Sequence, residues 1–394
     1  MAKKAPEEGR ERFEEKMNRI NLVIVSILLI YLSGCVQTKT IEDMGIISSR
    51  GVDALENDRI KTTMVYFQFS KKEKQSNGIV SGEAHTLKRA REKANHDTGF
   101  TLATGSIQLE LYGKEAAKKG LLRYVDPLIR DAKISDSMYL AISESTAEDI
   151  LLTGYKDQHI NMDRYLHELI KQNIRDHVIP KVTLMDFLNG YYKIGRDPYL
   201  PILSIKDKKP VLSSLGLLRD DQFVGKVSLD DAYLITLLGE PISELDIEAV
   251  IPLKPFKNHM ESGPHQHTKR KYAYASFNVR KGKTKTKLLN KRDVRFQTNV
   301  KLDVDLLELS EEIHLGDPKV IKKLEKEVES EIKHRYKKLL NYTQELNTDP
   351  FGYGVVYRTQ GRTHTSMEEW RDIYPKINVT FNVEVRILHH GVLP

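Results

Sequence analysis

The stretch VRFQTNVKLDVDL, residues 294–306, decides the fold of the C-terminal part of this chain. Every second residue from Val294 to Leu306 is apolar or a threonine, and the residues between them are charged or carry an amide. A period of two residues is typical of a strand that has one buried face and one face in water. The stretch therefore predicts a long, half-buried strand.

A long amphipathic helix and a second alternating strand follow this stretch. Asp317 and Pro318 supply an N-cap and a first-turn proline, and apolar residues then recur at steps of three and four as far as Leu339. Over residues 377–387 the period of two returns. We expect the C-terminal region, residues 269–394, to be an antiparallel sheet packed against this one helix.

Patterns of strands and helices alternate along the rest of the chain. Runs rich in β-branched and aromatic residues predict strands, and runs with apolar spacing of three and four predict helices. The predicted fold class is α+β and multi-domain, with mixed sheets that are each packed against helices. We expect four segments: a signal peptide (1–34) that is removed, an N-terminal α/β domain (35–205), a middle domain (206–268) and a C-terminal α+β domain (269–394).

Composition narrows the class of protein. With 40% hydrophobic and 30% charged residues among 394, the bulk of the chain is typical of a water-soluble globular protein. The net charge of +7 is mild, and basic residues are spread among acidic ones, so we expect no nucleic-acid ligand. The single cysteine excludes an intrachain disulfide framework and a multi-cysteine zinc site.

That cysteine lies at the end of a secretory signal pattern. Basic residues precede an apolar run over 20–31, and four residues that match a bacterial lipobox follow it: Leu32, Ser33, Gly34 and Cys35. In such a signal the thiol carries a diacylglyceryl group before the peptidase cuts in front of it. We therefore predict that residues 1–34 are removed and that acylated Cys35 tethers the mature chain to the bilayer.

Two other interpretations of the apolar run are weaker. An uncleaved membrane helix over 20–32 would be roughly 20 Å long, against a hydrocarbon core of about 30 Å. A buried core helix with an incidental thiol does not fit the N-terminal position. Translation can begin at Met1 or at Met17, since five glutamates that signals disfavour precede Met17.

Signals for catalysis or metal binding are weak. His265 and His267 lie in a charged loop without a carboxylate or thiol at ligand spacing, and His389 and His390 lie within the last six residues. No phosphate loop, dinucleotide fingerprint, nucleophile elbow or zinc-protease motif occurs. We predict no catalytic residue, no metal and no cofactor.

The segment 349–354, Asp-Pro-Phe-Gly-Tyr-Gly, has two interpretations. It is a tight turn whose glycines allow positive φ and whose aromatic rings close the end of the core. Alternatively, Asp349, Phe351 and Tyr353 form a surface that contacts a partner. The first interpretation is favoured.

The same segment, followed by Trp370, Tyr374-Pro375 and the alternating last strand, resembles the C-terminal region of the Ger(x)C spore-germination lipoproteins. The N-terminal half is similar to that family in the same order, at Ser81-Gly82-Glu83, Gly113 to Gly120, Arg130-Asp131 and Gly195 to Leu203. Two features depart from it: Ala84 replaces a common glycine, and no tryptophan follows Cys35. The resemblance spans the mature chain.

The resemblance implies the C subunit of a GerA-type germinant receptor. Such a subunit is a non-catalytic lipoprotein on the outer leaflet of the spore inner membrane, where it works with a membrane A subunit and a transporter-like B subunit. Only the lipidated cysteine carries over, onto Cys35. Two other classes stay open: a solute-binding lipoprotein that captures a small germinant directly, and an enzyme such as a cortex hydrolase, which would need paired acids or a metal.

Overall fold

The computed structural model describes residues 15–24, 40–69, 76–155, 162–260 and 270–391. The predicted signal and lipid-attachment residues Leu32, Ser33, Gly34 and Cys35 lie outside these ranges, and so do His265 and His267. The chain forms two compact units, Met1–Asp43 and Met44–Pro394. Each unit is described by itself.

Within the first unit, residues 15–24 are helical and Ile41–Asp43 form one turn of 3-10 helix. The hydroxyl of Thr40 donates a hydrogen bond of 2.7 Å to the Asp43 carboxylate. Among the helices of the described ranges, none combines the length and the apolar character needed to cross a membrane.

The second unit begins with a mixed sheet of nine strands, which confirms the mixed sheet predicted for the N-terminal half. The strands are β1 (Met44–Ala54), β2 (Ile60–Gln68), β3 (Ser76–Ala84), β4 (Thr101–Ala103), β5 (Leu109–Tyr112), β6 (Tyr139–Ser143), β7 (Tyr199–Lys206), β8 (Lys209–Arg219) and β9 (Gln222–Ser228). Their order is β3-β2-β1-β5-β6-β7-β8-β9, and β4 pairs with the start of β1. The central neighbours from β1 to β7 run parallel, and antiparallel hairpins flank them.

In the described residues between β3 and β7 the helices are α1 (Leu87–Asn95), α2 (Lys114–Lys119), α3 (Leu122–Ile129), α4 (Ala147–Tyr155), α5 (Met162–Arg175) and α6 (Leu184–Tyr192). A strand side chain fixes the start of α4, because the Asp53 carboxylate accepts the N–H groups of Ala147 and Glu148 at 2.7 and 3.0 Å. Free N–H groups at a helix start are satisfied in this way by an acidic cap.

The predicted middle domain, residues 206–268, is divided between two sheets. Asp207 and Lys208 have φ of 50° and 60°, which is the geometry of a two-residue hairpin turn, so β7 and β8 lie side by side in the first sheet. After β9 the chain forms α7 (Leu229–Gly239) and then β10 (Leu245–Pro252), which begins the second sheet. Residue 205 therefore lies inside a hairpin, and the described part of the segment, residues 206–260, contributes its strands to these two sheets.

The second sheet has the order β10-β11-β12-β13, with β11 (Tyr272–Asn290), β12 (Arg295–Leu309) and β13 (Asn378–His389). The stretch 294–306 that predicted a half-buried strand forms most of β12. Its residues Phe296, Val300, Leu302 and Val304 are buried, as the alternation predicted.

The prediction that this sheet is antiparallel is wrong for its last strand, because β12 and β13 run parallel. Between them lie α8 (Pro318–Glu345), α9 (Tyr353–Gly361) and α10 (Met367–Ile373). A crossover that contains helices carries the chain from the end of β12 back to the end of the sheet where β12 began, so the next strand is parallel. The predicted long helix is confirmed, and the Asp317 carboxylate caps it by accepting the Lys319 N–H at 2.8 Å.

Helix α8 covers one face of the second sheet and also closes its open edge. The Tyr336 ring stacks on Phe381 of β13, with ring centres 4.9 Å apart. The carboxylates of Glu325 and Glu329 accept the outward N–H groups of Ile387 and Val385, each at 3.0 Å. Helix side chains thus satisfy the edge donors of β13 that would otherwise be open to another strand.

Candidate functional site

The segment proposed as a partner surface is mostly buried. Asp349 and Tyr353 are 0% and 1% exposed, while Phe351 is half-buried and packs edge-on against the Tyr353 ring at 5.8 Å. Gly352, with φ of 79°, turns the chain into α9 and points Tyr353 at the core, where its hydroxyl lies 3.0 Å from that of Thr298. The partner-surface hypothesis is therefore wrong for Asp349 and Tyr353, and the segment is a turn that closes the core.

Asp349 is the centre of this turn. One carboxylate oxygen accepts the N–H groups of Gly352 and Tyr353 at 2.8 and 3.2 Å, and the other accepts the Gly354 N–H at 2.9 Å and the Trp370 indole N–H at 3.1 Å. Burial raises the pKa of Asp349 to about 7, with a further contribution from the nearby Asp197 charge, although the three backbone donors oppose the shift. The carboxylate thus orders the start of α9 and fixes the indole ring of α10.

A second buried carboxylate, that of Asp197, joins this turn to the first sheet. The Asp349 N–H donates to Asp197 Oδ2 at 2.6 Å, and the Asp197 N–H donates to the Asp349 carbonyl at 2.9 Å. Arg371 of α10 donates from both terminal nitrogens to the Asp197 carboxylate, at 2.5 Å for Nη1. Arg371 also donates to the Asn347 carbonyl and to the Asp220 carboxylate, each at 2.9 Å.

Two glycines bring the backbones together at the same place. A Cβ on Gly195 would lie 2.4 Å from the Gly354 carbonyl carbon, and a Cβ on Gly354 would lie 2.4 Å from Gly195 Cα and 2.7 Å from the Trp370 ring. Gly195 has φ of 90°, and its carbonyl accepts the Val355 N–H at 3.2 Å. We call the set of Gly195, Asp197, Asp349, Gly354, Trp370 and Arg371 the junction.

The hydrogen bonds of the junction hold two parts of the fold together. Each of the four carboxylate oxygens of Asp197 and Asp349 accepts two hydrogen bonds. Besides the donors described above, the Asp220 N–H donates to Asp197 Oδ1 at 3.0 Å. Oxygens engaged in this way hold two parts of a fold together and are not turned toward a substrate. The turn at 349–354 was predicted from the sequence, whereas the contact with Asp197 and Arg371 was not.

A cavity of about 530 Å³ with a mixed polar and apolar wall opens at the junction and is lined in part by Asp197. Its wall includes Lys181, Asp186, Lys193, Arg196 and Tyr199. The volume lies within the range of small-molecule sites, but those sites are usually lined by apolar and aromatic side chains. The cavity alone therefore gives little support to the solute-binding alternative.

Of the two histidines near the C-terminus that were considered as metal ligands, His389 is bonded to a carboxylate of the sheet. His389 Nδ1 lies 2.8 Å from the Asp305 carboxylate, which also accepts from Arg280 at 2.6 Å. Hydrogen bonds from Arg280 and then from His389 lower the pKa of Asp305. Within the described ranges, no three His, Cys, Asp or Glu side chains gather as metal ligands would.

Comparison with known proteins shows two family matches that together span most of the chain. Residues 37–205 match the model described as "Spore germination protein N-terminal domain", and residues 213–391 match "Spore germination B3/ GerAC like, C-terminal". The chain is 24% identical over 371 residues to the spore germination protein GerQC of Bacillus cereus, an alignment that covers 94% of this chain and 98% of the relative.

Two further proteins are similar to this chain. The putative spore germination protein YfkR of Bacillus subtilis (strain 168) is 23% identical over 199 residues, which cover 48% of this chain and 50% of YfkR. The crystal structure of the GerBC protein superposes with a TM-score of 0.54 at 16% identity, over 86% of this chain and 96% of that structure, which shows a shared fold. Since the family models match both halves, the chain belongs to the Ger(x)C family of spore germination proteins.

Proposed function

We propose that this chain is the C subunit of a nutrient germinant receptor, held on the outer leaflet of the spore inner membrane by acylated Cys35. One observation carries the proposal: the first family match begins at residue 37, two residues after Cys35. The order of apolar run, Leu-Ser-Gly-Cys and family body is the order of a lipoprotein precursor. This order supports cleavage before Cys35 and retention of the body at the bilayer.

The subunit works with the membrane A and B subunits and contributes position and binding surface, without catalysis. A tether confines the body near partners in the same bilayer, which raises their effective concentration without adding contacts. The junction supports a non-catalytic role, because its two buried carboxylates are fully engaged in holding the fold together.

Replacement of the lipid-attachment residue tests this function. In spores that carry Cys35→Ala, we expect residues 1–34 to stay uncleaved, so that only an apolar run too short to span the bilayer is left to hold the protein. The amount of protein in the membrane fraction should fall, and the response to nutrients should be lost. The physical reason is that each buried methylene contributes about 0.8 kcal/mol, so two or three acyl chains hold a protein firmly and their loss releases it. Membrane fractionation and the rate of nutrient-triggered germination are the measurements.

Ser33→Ala is the matched control, because it exchanges one small residue of the predicted lipobox for another and keeps the cysteine. Ser33→Ala spores should retain the protein and germinate normally. Cys35→Ala spores that keep the protein in the membrane and germinate normally on every nutrient would rule out the tether.

A further inference from the structure

One hairpin carries most of the net charge of this chain. Residues 281–295, the end of β11 with the turn and first residue of β12, hold five lysines, two arginines and one aspartate, a net charge of +6 beside +7 for all 394 residues. We call this segment the lysine hairpin. The expectation that basic residues are spread among acidic ones is therefore wrong here.

The strand geometry places the lysines on one face. Lys281, Lys283, Lys285 and Lys287 alternate along β11 and are exposed, while the residues between them face the buried side of the second sheet. Alternate residues of a strand lie about 6.6 Å apart, so Lys283 to Lys287 form a row about 13 Å long.

Carboxylates near this row are already occupied by other cations. Lys285 and Lys287 lie opposite Asn299 and Gln297 in β12. Lys283 lies opposite Lys301, whose ammonium binds the Glu384 carboxylate at 2.5 Å.

Two aspartates in the adjoining turn and strand are paired in the same way. Asp303 binds Arg386 at 2.9 Å, and Asp293 at the turn binds Arg295 at 2.5 Å. Within the part of the chain that the structure describes, Lys283, Lys285 and Lys287 thus form no ion pair, and the row presents uncompensated positive charge.

An apolar residue lies next to the row, and a helix braces the hairpin. Leu289 is 58% exposed and follows Lys287 on the same face, with Lys291 and Arg292 exposed at the turn. The Gln360 side chain of α9 accepts the Leu288 N–H at 2.8 Å and donates to the Thr286 carbonyl at 3.3 Å. The lysines and the leucine are therefore presented by a fixed strand.

We propose that the exposed face of the lysine hairpin docks on the anionic surface of a lipid bilayer. Lysines beside an exposed apolar side chain are the combination that binds a headgroup layer, since the cations attract anionic lipid and the apolar group enters the interface. The proposal rests on the membrane location in the proposed function, and it adds a second point of contact to the lipid anchor.

A flat row of side chains fits a bilayer better than it fits other anions. An acidic protein segment would need no exposed leucine. The major groove of DNA admits a helix or a two-stranded ribbon, whereas this row lies on the face of a sheet in which β11, β12 and β13 are paired side by side. An alternative role for lysines on an edge strand is to prevent pairing with a strand of another chain, and isolated lysines are enough for that role. The Gln360 side chain already satisfies this edge at Thr286 and Leu288, so protection does not require three more cations.

Vesicle binding tests the proposal. The mature chain, residues 35–394 with Cys35→Ser, cannot be acylated and lacks the apolar run of the signal. It is mixed with vesicles of phosphatidylglycerol and phosphatidylcholine and with vesicles of phosphatidylcholine alone. Each lysine near an anionic bilayer multiplies the binding constant by roughly five. Adding Lys283→Gln, Lys285→Gln and Lys287→Gln should therefore lower the preference for anionic vesicles about a hundredfold at low salt, and high salt should weaken the preference of the parent chain.

The matched control removes three exposed lysines from α8, on the opposite side of the same sheet: Lys326→Gln, Lys333→Gln and Lys337→Gln. The control changes the net charge equally and should keep the preference. The proposal fails if the control lowers the preference as much, or if the hairpin variant keeps it. It also fails if the hairpin variant self-associates without losing the preference, or if the parent chain binds duplex DNA more tightly than anionic vesicles.

Failure of this proposal and failure of the proposed function can be told apart. The vesicle experiment contains no acyl chain, so its result is independent of whether Cys35 is lipidated. The spore experiment with Cys35→Ala leaves the hairpin intact and reports on the tether.

Discussion

Arg371→Met is expected to lower the free energy of unfolding by about 3–5 kcal/mol, because it leaves a fully buried carboxylate without its cation. Asp197 is 0% exposed, and the guanidinium of Arg371 supplies two of its hydrogen bonds. The Asn347 carbonyl loses a donor as well. Methionine fills a similar volume without a charge, so the loss reports on the ion pair more than on packing.

Arg386→Met is the matched control. Arg386 is also paired with an aspartate, Asp303 at 2.9 Å, but its side chain is 64% exposed. Exposed pairs contribute little because water and salt screen them, so the control should change the free energy of unfolding far less than Arg371→Met does. Unfolding in urea measures both variants.

A double variant separates the free energy lost with the ion pair from the cost of leaving the Asp197 charge buried without a partner. Asp197→Asn together with Arg371→Met removes both charges. The Asp220 and Asp349 N–H groups bind different oxygens of Asp197, so the single side-chain oxygen of asparagine can still accept from one of them. The double variant should be more stable than Arg371→Met alone, since no charge is left buried. If Arg371→Met costs no more than Arg386→Met, the ion pair does not hold the junction.

Periodic segments were predicted well from the sequence. Strand β12 and helix α8 carry long patterns of period two and of three and four, and each pattern depends only on neighbours in the sequence. Strand β3 carries no such pattern, because Gly78 and Gly82 interrupt it. This strand exists because it pairs with β2, and because Gly82 allows the backbone of α1 to approach, where a Cβ would lie 2.1 Å from the Ala90 carbonyl oxygen.

The direction of β13 could not be predicted for a different reason. Its alternation fixes which residues face the core, but the path of α8, α9 and α10 decides from which end it enters the sheet. The hairpin turn at Asp207 and Lys208 was missed because neither residue is glycine or asparagine, although both have positive φ.

The candidate site was predicted only in part. Asp349 and Asp197 each precede a proline, so each indicates a turn, but a bond between residues 152 positions apart leaves no local pattern. The alternating lysines 281–287 were visible in the sequence as a period of two. Their importance depends on which neighbours lie across the sheet, and only the register with β12 and β13 supplies that.

Gly195→Ala is expected to lower the free energy of unfolding by about 3–5 kcal/mol, because it combines two independent costs. With φ of 90°, Gly195 has a backbone conformation that L residues rarely adopt. Its new Cβ would also lie 2.4 Å from the carbonyl carbon of Gly354, which is backbone and cannot rotate away. The two halves of the junction would have to separate.

Substitutions at two further glycines measure the backbone strain apart from the steric clash. Gly352→Ala has the strained φ of 79° but meets only the Arg196 side chain at 3.5 Å, so strain alone should cost about 1–2 kcal/mol. Gly99→Ala meets nothing within 4 Å and should change the free energy of unfolding by less than about 1 kcal/mol. In urea unfolding, Gly195→Ala should be the least stable variant, Gly352→Ala should be intermediate, and Gly99→Ala should be the most stable of the three. If Gly195→Ala and Gly352→Ala cost the same, the backbones at Gly195 and Gly354 can separate freely, and the cohesion of the junction comes from Asp197 and Arg371 alone.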